Sequence, residues 1–270
     1  MHWWKWKFIG SFGCLSLVLS VSSLFCNRLS ARSTNNGCEN EVSFTKQSSI
    51  PISEKQLRHR AEMISVKVMG DEIIGTGFLL RKKGCVYTVV TNAHVLRAGK
   101  APYRVQTSDH RTWKAQVRYV ASEGGDDLAI LQFRSKGEVY TVPSIGVQPI
   151  AGTEVVAAGF PVVEGATRVR FRLTAGQVSL VLNKALQGGY QIGYTNDIQK
   201  GMSGGALLNR RGEVVAVNGM HAFPLWDIPS VFETGEEADK ALHDQIVRLS
   251  WAVPIKRVEE VRRQKEEEEN

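Results

Sequence analysis

The chain has 270 residues, 43% hydrophobic and 23% charged, with 25 glycines. That composition suits one large or two small globular domains and excludes disordered, collagenous and multi-pass membrane chains. Its formal charge of +7 is concentrated at one end: residues 1–60 carry eight Lys/Arg against three Asp/Glu, leaving 26 against 24 for the rest. The folded part is therefore near neutral and has no electrostatic footprint for nucleic acid.

Lys5 and Lys7 precede an uncharged stretch from Phe8 to Cys26, rich in Leu, Val and Ser. Residues 1–31 are expected to be an export segment, either a signal peptide cut near Ala31 or a retained anchor tethering the chain to a membrane. Five serines and two glycines dilute the 19-residue stretch and favour cleavage. The expected location is periplasmic or secreted, with membrane anchoring as the alternative. Residues 32–52 have the Ser, Asn, Thr and Gln content of a linker. Two cysteines remain beyond the export segment, Cys38 and Cys85, so one bridge is the most they can form. Taken alone, Cys85 reads more readily as a small buried strand residue.

Ser53 can cap a short helix with Leu57, Ala61 and Ile64 at helical spacing. Short β-rich runs then follow: Ser65 to Met69, Glu72 to Leu80, Val86 to Thr91, Arg104 to Thr107, Thr112 to Ala121 and Leu128 to Phe133. After a break around Gly137 to Gly152 a second series comprises Val155 to Gly159, Thr167 to Leu173, Gly176 to Leu182, Gly189 to Thr195, Ala206 to Leu208 and Val214 to Val217. Two such clusters predict an all-β protein of two barrels, about 61–140 and 150–256. Gly235 to Ser250 is expected to be helical, Pro254 begins a terminal helix, and residues 263–270 are expected to be a solvated acidic tail.

Three segments carry the chemistry: Thr91-Asn92-Ala93-His94-Val95-Leu96, Asp127-Leu128-Ala129-Ile130-Leu131 and Gly201-Met202-Ser203-Gly204-Gly205-Ala206. A serine hydroxyl is a weak nucleophile until a base takes its proton, and a histidine, which titrates near neutrality, suits that task. A carboxylate on the other ring nitrogen fixes the tautomer and stabilises the imidazolium. Glycines beside the serine allow backbone amides to converge on a developing oxyanion. Singly, each segment reads as a turn or a cap; together they stand in order, 33 and 76 residues apart from His94 to Asp127 to Ser203.

Together with Gly75-Thr76-Gly77-Phe78, these segments resemble the trypsin-like peptidase family over roughly residues 60–256. The resemblance implies a chymotrypsin-like fold of two barrels, with a short N-terminal and a C-terminal helix, in a peptidase domain over 53–262. It implies a serine endopeptidase acting on polypeptides, with His94 as base, Asp127 orienting it in preference to the neighbouring Asp126, Ser203 as nucleophile, and the Gly201 and Ser203 amides as oxyanion hole. At the family's offset Asp197 would reach the base of the primary specificity pocket, with Asn218 and Met220 lining it. Met202 and the missing cysteines depart from digestive members and look closer to bacterial ones, and no PDZ-type domain is expected after the peptidase region. No metal site or cofactor is expected, since no close pair of ligands and no phosphate-binding loop is present.

Two other readings stand beside this one. Gly201 to Gly205 also fits the nucleophile elbow of an α/β-hydrolase esterase, but the following residues read as strand and turn rather than helix. A catalytically inactive binding module of the same fold is the other, opposed by intact His94, Asp127 and Ser203.

Overall fold

The computed structural model describes residues 51–122, 124–162, 168–223 and 230–268. The export segment expected over 1–31, and the linker as far as residue 50, lie outside them. Among the described residues no helix is long and apolar enough to cross a membrane.

Helix α1 (Glu54–Ile64) begins with a reciprocal cap: the Ser53 hydroxyl accepts from Gln56 N–H while the Gln56 side chain accepts from Ser53 N–H. Its buried stripe is Leu57, Ala61 and Ile64, the three residues expected from their spacing.

The first half is a seven-stranded antiparallel sheet in the order β5-β4-β1-β2-β3-β7-β6. Its strands are β1 (Ser65–Met69), β2 (Ile73–Lys83), β3 (Val86–Thr91), β4 (Arg104–Gln106), β5 (Thr112–Lys114), β6 (Gln116–Val120) and β7 (Ala129–Arg134). β5 and β6 are one chain run broken at Ala115, whose N–H turns to Tyr103 O. β5 pairs with β4 and β6 with β7, so this run joins both edges and curls the sheet into a barrel. Inside, Tyr87 stacks on Phe133 and Trp113 stacks on the same ring, with Tyr140 edge-on to all three.

The second half is a closed barrel in the order β10-β13-β12-β11-β8-β9. It comprises β8 (Glu154–Gly159), β9 (Arg172–Leu186), β10 (Tyr190–Tyr194), β11 (Ala206–Asn209), β12 (Val214–Met220) and β13 (Ser250–Pro254). The interior holds Val155, Ala157, Val178, Ile192, Leu207 and Val215. A larger cluster joins α1 to both halves through Leu57, Phe78, Val90, Leu128, Leu208 and Trp251. The two-barrel, mostly β architecture expected from the sequence is thus present.

Several expectations need correction. The helix expected over Gly235 to Ser250 shrinks to α3 (Lys240–Ile246), capped by Asp239, because Ser250 to Pro254 is a fully buried strand pairing with both β10 and β12. The runs expected at Thr167 to Leu173, whose first residue lies outside the described ones, and at Gly176 to Leu182 meet in one long strand beginning at Arg172. The expected acidic tail starts as helix, since α4 (Ile255–Glu268) continues to Glu268. Cys85 is half-buried in the turn between β2 and β3 and is disulfide-bonded, so it is not the buried, unbridged strand residue expected. The other three cysteines, Cys14, Cys26 and Cys38, lie outside the described residues.

Candidate active site

His94 sits in a short helix, α2 (Ala93–Arg97), that begins where the buried strand β3 ends. Asn92, at the helix start, uses its side chain elsewhere: its amide donates to Asp127 O at 2.7 Å. That bond ties the end of β3 to a residue two positions before β7, and the two strands are already paired along their length. Asp127 is held by its own backbone as well, its N–H donating to Gly188 O at 2.8 Å.

The two side chains meet closely. His94 N–H donates to Asp127 Oδ1 at 2.8 Å, and His94 Nδ1 lies 2.5 Å from Asp127 Oδ2. Tyr190 donates its hydroxyl to the same Oδ2 at 2.5 Å. Arg97 Nη2 stands 3.6 Å from Oδ1. Burial by itself would raise the Asp127 carboxyl, but the hydrogen bond and charge of His94, followed by the Tyr190 hydroxyl and the His94 N–H, outweigh it and hold the carboxyl below its ordinary value. An ionised carboxylate only accepts, so Nδ1 of His94 carries the hydrogen and Nε2 is left as the basic nitrogen. Asp126 turns the other way, to Arg257 Nη1 at 2.6 Å.

Ser203 lies in the tight loop between β10 and β11, which docks on the first barrel. Thr76 N–H donates to Ser203 O at 3.0 Å and Thr76 Oγ1 donates to Gly201 O at 2.7 Å. Gly204, at φ +84°, comes so close that a Cβ there would lie 2.3 Å from Thr91 Oγ1 and 3.0 Å from Asn92 N. No side chain fits, and the serine loop thereby abuts the backbone leading into His94. The Ser203 hydroxyl itself donates to Gly219 O at 3.2 Å.

The carbonyls of the peptides that carry the Gly201 and Ser203 N–H groups are both pinned. Lys200 O accepts from Val162 N–H at 2.8 Å and Met202 O accepts from Gly205 N–H at 3.1 Å. In a trans peptide the N–H points opposite to the C=O, so the N–H groups of Gly201 and Ser203 are turned away from those bonds. Neither has an acceptor among the described residues. The N–H groups that follow each of them are used, Met202 on Gln199 O and Gly204 on Asn218 O.

The residues expected to line a specificity pocket fare differently. Asp197 is 64% exposed and pairs with Arg172 at 3.3 Å, so its carboxylate is a surface group and not a buried pocket floor. Asn218 is completely buried, with its side chain bonded to the Tyr194 hydroxyl and facing Ala158 O and Ala206 O. It has no face left for a ligand. Met220 is half-buried at the end of β12. Tyr190, though, has no motif of its own, and only the fold brings it to Asp127 across a separation of 63 residues. Thr76 lies within a quoted motif, yet its bonds to the serine loop span more than 120 residues and leave no trace in local pattern. Among the described residues no group of three or more His, Cys, Asp or Glu is arranged to hold a metal ion.

The model of the trypsin-like peptidase domain matches residues 75–217, a span that includes His94, Asp127 and Ser203. The chain is 31% identical over 157 residues to the serine protease HTRA1 of Xenopus laevis, covering 53% of this chain and 30% of that protein. It is 31% identical over 149 residues to the serine endoprotease DegS of Salmonella typhimurium, covering 54% and 39%. The match thus spans about a third of the length of these curated relatives. Among solved structures, the serine endoprotease from Yersinia pestis shares the fold with a TM-score of 0.56 and 24% identity, covering 80% of this chain and 67% of that one. With more than half of its residues matched in that span, the chain belongs to the trypsin-like peptidase domain family.

Proposed function

We propose that the chain is a serine endopeptidase, with the pairing of His94 and Asp127 beside two spare amides of the Ser203 loop as the observation that carries the reading. His94 Nε2 takes the Ser203 proton as Oγ attacks the peptide carbonyl. The carbonyl oxygen becomes an oxyanion held by the Gly201 and Ser203 N–H groups. Collapse of the tetrahedral adduct breaks the C–N bond, and His94 passes its proton to the departing amine. Water, deprotonated by the same nitrogen, then releases the acyl group from Ser203. Asp127 keeps the Nδ1 hydrogen in place and offsets the imidazolium charge throughout.

In the resting arrangement the Ser203 hydroxyl is engaged with Gly219 O, and the proposed reaction requires it to leave that carbonyl for the imidazole. Catalytic hydrogen bonds commonly tighten only when substrate is bound. With Asn218 closed off and Asp197 on the surface, Met220 is the expected pocket residue left to meet the side chain before the cleaved bond. Its apolar character suits an uncharged residue there.

We also infer export, with the segment over 1–31 as signal peptide or membrane anchor, from its sequence pattern alone.

The reading is tested by hydrolysis of casein and of a peptide ester. Ser203→Ala and His94→Ala should each lose about three to four orders of magnitude in rate with unchanged melting curves. The engaged Ser203 hydroxyl is the one observation that favours a binding module without catalysis. Parent protein that folds, binds peptide and cleaves neither substrate would establish that second reading.

A further inference from the structure

We infer that Tyr190, resting on the peptidase reading above, is a positioning residue of the catalytic centre that holds the Asp127 carboxylate from the second barrel. The hydroxyl and His94 Nδ1 converge on one oxygen, Asp127 Oδ2, each at 2.5 Å. Tyr190 is 5% exposed and Asp127 7%, so no bulk water replaces this donor. The ring lies over a gap left open by backbone: a Cβ at Gly219 would fall 2.3 Å from both the phenol oxygen and Cε1 of Tyr190. Gly219 is also the residue whose carbonyl accepts from the Ser203 hydroxyl. The missing side chain at 219 and the phenol at 190 are thus two halves of one fit, placed between nucleophile and acid. Burial, then the charge and hydrogen bond of Asp127, push the phenol well above its ordinary value, which keeps the hydroxyl a donor at every working pH.

The consequence is electrostatic. A carboxylate that shares its charge with a second donor pulls less strongly on the imidazolium, and its orientation is fixed whether or not His94 is protonated. Removing the donor leaves a buried acceptor short of one partner and strengthens the pull on the ring. Protonated His94 is then favoured, and activity is lost at a higher pH as the medium is acidified.

The test compares the full chain with Tyr190→Phe. The expected result is kcat lower by about ten-fold, the worth of one hydrogen bond to a charged group, with KM unchanged. The acidic limb of the kcat/KM profile should move up by about half a pH unit or more, and the downfield proton resonance of His94 Nδ1 should shift. Gly219→Ala keeps the phenol but displaces it, and should move the acidic limb in the same direction; it decides the matter should Tyr190→Phe fold poorly. In an Asp127→Asn background, Tyr190→Phe should add no further loss. An unmoved acidic limb and Nδ1 resonance in the folded variants would overturn the inference, as would a loss confined to KM. Full activity in Asp127→Asn would instead overturn the underlying triad reading.

Discussion

Thr76 clasps the Ser203 loop at two points, its N–H on Ser203 O at 3.0 Å and its hydroxyl on Gly201 O at 2.7 Å. The same hydroxyl accepts from Phe160 N–H at 2.9 Å. One buried residue of the first barrel, through its backbone N–H and its hydroxyl, therefore holds the peptides that flank the two spare amides of the second.

Replacing Thr76 with Val keeps the shape and strands two buried polar groups, Gly201 O and Phe160 N–H. At about 1–3 kcal/mol for each unpaired group, the variant should be less stable by about 2–6 kcal/mol in urea unfolding. Its kcat should fall by about ten-fold or more as the amides lose their alignment. Thr76→Ser, which retains the hydroxyl, should stay near the parent in kcat. A Val variant with parental kcat would show that the loop orients itself.

Asp197 is exposed and ion-paired with Arg172, and an exposed pair of this kind contributes little. Asp197→Ser should leave the preference for the residue before the scissile bond unchanged across a peptide library. A preference for Lys or Arg that disappears in the variant would restore Asp197 as a pocket residue.

Much of this was legible in the sequence, and what was missed shares one cause. Helix α1, strands β1 and β3, and the His94 and Asp127 segments declare themselves through spacing, alternation and local motif. β13 did not, because Ser250-Trp251-Ala252-Val253-Pro254 is buried on both sides and so lacks the alternation of a half-exposed strand. Asp197 was placed by its offset from Ser203, but the loop leading to the serine turns that carboxylate toward Arg172 on β9. Tyr190 and Thr76 act through partners 63 and 125 residues away, and no local pattern encodes such distances.

Met202 is completely buried within the second barrel's core. Lys200, the cation of this loop, is exposed, so an acid buried at 202 would be costly. Met202→Asp should fold poorly and lose activity. Conversely, the loop needs no inserted ammonium: chains starting at residue 28, with a free amino terminus or behind an uncleavable tag, should turn over one peptide substrate at equal rates. Activity that appears only after a defined cut would contradict this.

The folded Asp127 carboxyl lies below its ordinary value of 3.8, so folding favours the ionised form. Its contribution is complete above the unfolded value and is lost as the pH falls through the lower folded one. Between about pH 5 and pH 2 the parent should therefore lose more stability than Asp127→Asn, measured as urea midpoints across that range. Parallel acid dependence in the two proteins would mean that the carboxylate is not held as described.

The most direct measurement is labelling by a fluorophosphonate, followed by mapping of the modified peptide. An activated serine beside a base reacts far faster than a surface hydroxyl. The native protein should take up one label on Ser203, while His94→Ala and the heat-denatured parent take up essentially none. Label absent from the native protein, or incorporated equally after denaturation or without His94, would contradict Ser203 as an activated nucleophile.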